Sequence, residues 1–102
     1  MNIPFRPLGK AKEIIDSIGI NISYAFDDLL FIEDYPIIIR FDDENPGNLF
    51  FHTDIDCNPA EFEQIRKRLT VAAKLREWTI TDAGRYQIAP KDGVEELEIS
   101  FL

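Results

Sequence analysis

Apolar residues along the chain recur first at helical spacing and then at alternate positions. From Lys10 to Ile18 they fall at Ala11, Ile14, Ile15 and Ile18, one face of a helix. Gly19 follows, a residue free to adopt the left-handed conformation that ends a helix. Ile20, Ile22, Tyr24 and Phe26 then alternate with Asn21, Ser23 and Ala25, which predicts a strand with those four residues on one face. Asp27-Asp28 turns the chain into Leu29–Glu33, and Glu33-Asp34-Tyr35-Pro36 turns it into Ile37–Phe41, the short connections of an antiparallel meander. Beyond a polar loop over 42–48, Leu49, Phe51, Thr53 and Ile55 alternate with Phe50, His52, Asp54 and Asp56 in a fourth strand.

A second helix opens at Asn58, a capping residue, with Pro59 suited to the first helical position and Glu61 able to reach back to the cap. Its buried stripe is Phe62, Ile65, Leu69, Ala72 and Ala73, with Arg66, Lys67, Arg68, Lys74 and Arg76 on the remaining faces. Trp78-Thr-Ile-Thr and Arg85-Tyr-Gln-Ile read as a hairpin around Asp82-Ala83-Gly84, and Leu97, Ile99 and Phe101 mark a last strand. The two prolines and the glycine of residues 1–9 make an extended N-terminal arm, followed by one domain over 10–102. The predicted order is αββββαβββ. Strands gathered in runs, not alternating with helices, place the chain in the α+β class with a mainly antiparallel sheet and two helices.

Composition narrows the function classes. An apolar fraction of 45% with eight Phe in 102 residues supplies a core for one domain. One cysteine, Cys57, leaves no internal disulfide, and no apolar run approaches a membrane span of roughly 20 residues. A cytoplasmic protein is expected, without a membrane association. The formal charge of −8 argues against direct nucleic-acid binding, which needs clustered Lys and Arg. That charge is uneven: residues 13–63 carry thirteen carboxylates against Arg40 alone, whereas residues 64–91 carry seven bases and two acids.

Two constellations invite chemistry. His52, Asp54 and Asp56 share one face of the fourth strand, the arrangement a divalent metal or an acid–base pair would use, but with one His and one Cys in the chain a fuller ligand set is missing. Asp42-Asp43-Glu44-Asn45-Pro46-Gly47 has the composition of a calcium loop and fails its spacing, since Pro46 takes the fifth ligand position and Thr53 stands where the bidentate Glu belongs. Phosphate-cradling glycine motifs are absent.

The expectation is therefore a small acidic, non-enzymatic protein-binding module of the inhibitor, immunity, chaperone or assembly type, with no cofactor. It would act as a monomer or homodimer on a protein partner with a basic surface. Phe5, Leu8, Asp42, Asp43, Glu44 and Trp78 are the candidate contact residues. Two alternatives stand beside it: an acidic mimic of nucleic acid that blocks a DNA-binding protein, and a small metal-dependent enzyme around His52.

Overall fold

Ile37, Ile38 and Ile39 are all buried, which a strand wet on one face does not allow. They belong to a strand, β3 (Ile37–Phe41), inside a six-stranded sheet that the computed structural model describes along with the rest of residues 6–90 and 97–102. The other elements are α1 (Leu8–Asp16), β1 (Ile22–Phe26), β2 (Leu29–Ile32), β4 (Asn48–Asp54), α2 (Glu63–Lys74), β5 (Thr79–Pro90) and β6 (Leu97–Phe101). A 3-10 turn, Pro59–Phe62, leads into α2.

The strands lie in sequence order, β1-β2-β3-β4-β5-β6. All pairs are antiparallel except β4 and β5, which run parallel because α2 carries the chain back across the sheet between them. The α+β class and the mainly antiparallel sheet with two helices agree with the sequence pattern. None of the helices among the described residues is long and apolar enough to cross a membrane.

Both helices cover one face, here called the front. Ala11, Ile14 and Ile15 of α1 and Leu69, Ala72 and Ala73 of α2 pack on Leu30, Ile32, Ile37, Ile39, Phe41, Leu49, Phe51 and Trp78. The predicted start and stop signals are in place. Asn58 Oδ1 accepts the Ala60 N–H at 3.1 Å, and Gly19 ends α1 at φ +86°. Arg68 donates to the Ile18 carbonyl at 2.8 Å and thereby fixes the end of α1 to α2. α1 starts two residues earlier than the periodicity implies, because the Pro7 carbonyl accepts the Ala11 N–H at 3.1 Å.

Two bulges depart from simple alternation. In β1, Ile22 pairs with Ile32 but Tyr24 pairs with Phe31, so Ser23 is an extra residue. Ile20 and Ile22 consequently face the front core while Tyr24 and Phe26 turn to the rear, correcting the expectation that all four share a face. In β5, Phe51 pairs with Asp82 and Thr53 with Arg85, leaving one residue over in the Ala83-Gly84 pair. The hairpin expected around Asp82–Gly84 is instead one continuous strand carrying this bulge, and the order is αββββαββ. A turn signature and a glycine-centred bulge share the same residues, because both need a positive φ. The phase shift sends Ile80 to the front core and Tyr86 to the rear.

Gly84 has φ +90°, and a Cβ there would lie 3.2 Å from the Leu102 carbonyl oxygen. Gly84→Ala is expected to cost about 1–3 kcal/mol of stability in urea unfolding, through backbone strain and that approach. An unchanged midpoint would mean that the bulge is not held as described.

Candidate functional site

Among the described residues no helix lies on the rear face. Pairing positions in the ladders put Tyr24 and Phe26 of β1 beside Phe31 and Leu29 of β2, then Ile38 and Arg40 of β3, then His52 and Phe50 of β4. At the other end Tyr86 pairs with Phe101, and Ile88 with Ile99. Leu29, Ile38 and Tyr86 form a small buried cluster with Phe31 and Ile99 packed against it. The cluster covers only the middle of the face.

Its centre is built around Arg40. The guanidinium lies 4.5 Å from the Phe50 ring centre and 4.9 Å from that of Phe101, and its Nε donates to His52 Nε2 at 3.3 Å. Since guanidinium cannot accept, the His52 proton sits on Nδ1. His52 is 1% exposed, its Nδ1 has no hydrogen-bond partner among the described residues, and the Phe101 ring lies tilted against it with centres 4.4 Å apart. Burial, reinforced by the Arg40 charge, pushes the imidazole down to about 4, with Asp82 opposing the shift.

Toward β1 the face opens. Tyr24 and Phe26 are each 60% exposed and stack on one another, with ring centres 6.4 Å apart and planes 9° apart. Tyr24 also meets Phe31 at 6.0 Å. The turn after Phe26 and the loop between β3 and β4 bring Asp27, Asp28, Asp42, Asp43 and Glu44 to the same end of the sheet, where the Asp28 carbonyl accepts the Phe41 N–H at 2.8 Å. Asp28, Asp42, Asp43 and Glu44 wall a pocket of about 320 Å³ whose other lining residues are Arg40, Phe41 and Phe50.

The rim is ordered by its own hydrogen bonds. Asp42 Oδ1 accepts the N–H groups of Glu44 and Asn45, both at 3.1 Å, and its Oδ2 accepts from Asn48. Asn48 is buried, and its Oδ1 accepts from Thr79 and Thr81 of β5 at 2.7 and 3.0 Å. Arg6 bridges Asp27 and Asp43, and its hydrogen bond holds the Asp43 carboxyl below the usual range. Asp42 thus shapes the loop, while Glu44 and Asp28 present their charge at the pocket.

The residues singled out in the sequence are dispersed. Asp42, Asp43 and Glu44 form this rim. Leu8 is exposed on the first turn of α1, and Phe5 lies outside the described residues. Trp78 is 5% exposed in the front core, which corrects its assignment as a contact residue: its indole fills the space where α2 returns to the sheet. Asp54 and Asp56 do not join His52. Asp54 Oδ1 accepts the Asp56 N–H at 2.8 Å in a turn, and Arg85 clamps the carbonyls of Asp54 and Ile55 at 2.9 and 2.7 Å. Among the described residues no group of three His, Cys, Asp or Glu side chains is placed to hold a metal ion.

Tyr24, Phe26, Phe31, Arg40 and Phe50 were not legible as a site, because the Ser23 bulge that turns the first two rearward leaves no residue signature. The predicted meander is the one signal that could have brought Phe31, Arg40 and Phe50 together, since it makes their strands neighbours. No protein-family model, curated protein or solved structure matches the chain.

The buried imidazole makes stability sensitive to acid. An unfolded His titrates near about 6.5, so between roughly pH 6.5 and 4 the unfolded chain binds a proton that the folded chain does not. This contribution is complete above that window and declines as pH falls through it, by about 2–3 kcal/mol. His52→Gln keeps an acceptor for Arg40 and removes the titration. Urea midpoints of the two proteins should converge on acidification, and parallel curves would contradict the buried, uncharged state.

Proposed function

We propose that this chain is a protein-binding module that receives a basic, partly apolar segment of a partner on its rear sheet face. The observation that carries the reading is the placement of the exposed, stacked Tyr24 and Phe26 at the end of the face rimmed by Asp27, Asp28, Asp42, Asp43 and Glu44. Large aromatic surface left in water is costly, and a partner that covers it recovers that cost. The carboxylate-walled pocket beside Phe50 fits a Lys or Arg head group, while the rings supply rigid contact area for neighbouring Leu or Phe side chains. Acidic charge at the rim also speeds encounter with a basic surface.

The reading goes with a cytoplasmic, cofactor-free and non-enzymatic protein that acts as a monomer or homodimer. Mimicry of nucleic acid draws less support, because Arg6 already ties two of the five carboxylates, Asp27 and Asp43.

The test uses a fluorescent peptide of alternating Lys or Arg with Leu and Phe, titrated with the full chain. Tyr24→Ser with Phe26→Ser should weaken binding at least about tenfold, as loss of two aromatic anchors does. Asp28→Asn with Glu44→Gln should weaken it mainly at low salt. Binding that survives the aromatic double variant would refute this site, and competition by duplex DNA would favour the mimic.

A further inference from the structure

The opposite side of the molecule has the reverse chemistry. The outer surface of α2 carries Lys67, Val71 and, just past the helix end, Leu75, spaced four residues apart and so stacked along one stripe. This is not the stripe that packs on the sheet, which is Leu69, Ala72 and Ala73 with Ile65. A helix in contact on one face only has no reason of packing to be apolar on another. Yet Val71 is 62% and Leu75 78% exposed.

Between this stripe and the end of α1 lies a groove of about 490 Å³. Ile18 and Ala72 contribute apolar floor, and Lys67, Arg68 and Arg76 contribute cations, with no carboxylate among the lining residues. The two arginines are fixed. Arg68 donates to the Ile18 carbonyl, a neutral group, and Arg76 donates to the Ala72 carbonyl at 2.9 Å and to Glu13, with which it forms an ion pair, at 3.2 Å. Arg76 is offset by Glu13, but among the described residues no carboxylate forms an ion pair with Lys67 or Arg68, so on a chain of formal charge −8 the groove is a local inversion of the field. At physiological salt the screening length is about 8 Å, so the groove's own charge governs a segment lying in it.

We infer that the α1–α2 groove is a second docking site, taken by an acidic amphipathic helix of a partner protein. Apolar residues of that helix at i and i+4 cover Val71 and Leu75, and carboxylates on its flanks meet Lys67, Arg68 and Arg76. The charge of the groove selects the sign of the occupant, and the straight apolar stripe selects a helix. The site is independent of the rear face, which takes the opposite charge, and a chain holding both joins two partners on its two sides.

The probe is a fluorescent model helix with Leu at i, i+4 and i+7 and Glu on the flanking positions, compared with its Lys-substituted counterpart by anisotropy. Val71→Ser with Leu75→Ser alters two exposed side chains and leaves the core intact. The Glu helix is expected to bind and to lose at least about tenfold in affinity to that double variant and to Lys67→Glu, with a further loss on raising salt. Its binding should be unchanged by Tyr24→Ser with Phe26→Ser, so failure here and failure of the rear-face site are separate results. Equal affinity for the two model helices, or affinity untouched by the Val71 and Leu75 changes, would overturn the inference. So would self-association in sedimentation that the same double variant abolishes, since a second copy would then fill the groove.

Discussion

Everything in this structure depends on burying β3 on both faces. Three consecutive isoleucines, Ile37 to Ile39, place apolar side chains on each side of the sheet, and two helices cover only one. The other side has to be closed by the sheet itself. It is closed over Ile38 by Leu29, Phe31, Tyr86 and Ile99, and over His52 by Phe101. The Ala83-Gly84 bulge is what makes this possible, since without its extra residue Tyr86 would point to the helices.

That closure is incomplete, and the incompleteness defines the surface. β6 reaches the rear cluster from the β5 edge, so the β1 edge stays open. The Ser23 bulge then turns Tyr24 and Phe26 onto the open part, where they stack with most of their area in water. Between the closed and open parts stands Arg40, a cation held between two rings and against a neutral imidazole. Contact with Phe50 and Phe101 offsets part of its desolvation, and the unpartnered Nδ1 of His52 shows that the packing is not optimised for polar satisfaction alone. The carboxylates of the adjoining turns sit within the field of this cation, and a sheet end that would otherwise repel itself is moderated by Arg6 and Arg40 together.

Much of the framework was legible in the sequence because its signals are local. Helical spacing located Ile14 and Ile15, Asn58-Pro59 located the start of the second helical segment, and Gly19 located a stop. Short acidic turns located the meander. What stayed hidden was set by pairing across the sheet. A bulge changes the face of every later residue in its strand, so one inserted position at Ser23 moved Tyr24 and Phe26 off the face of Ile20 and Ile22, and another at Ala83-Gly84 sent Tyr86 to the rear. Trp78 was misplaced for a related reason, since its depth follows from the way α2 leads into β5, which runs parallel to β4. The acidic triplet Asp42, Asp43 and Glu44 was visible as composition, but its neighbourhood with Phe26 and Phe50 is a product of topology.

Recognition of a partner is proposed at the open aromatic end of the sheet, with its acidic rim. Nuclear magnetic resonance of the isotope-labelled chain, titrated with a Lys- and Leu-rich peptide, tests it most directly. The largest shift changes are expected on the ring resonances of Tyr24, Phe26, Phe31 and Phe50 and on the amides of the Asp42–Glu44 loop. Ring resonances of Tyr24 and Phe26 that do not move while changes spread evenly over the acidic residues would contradict it.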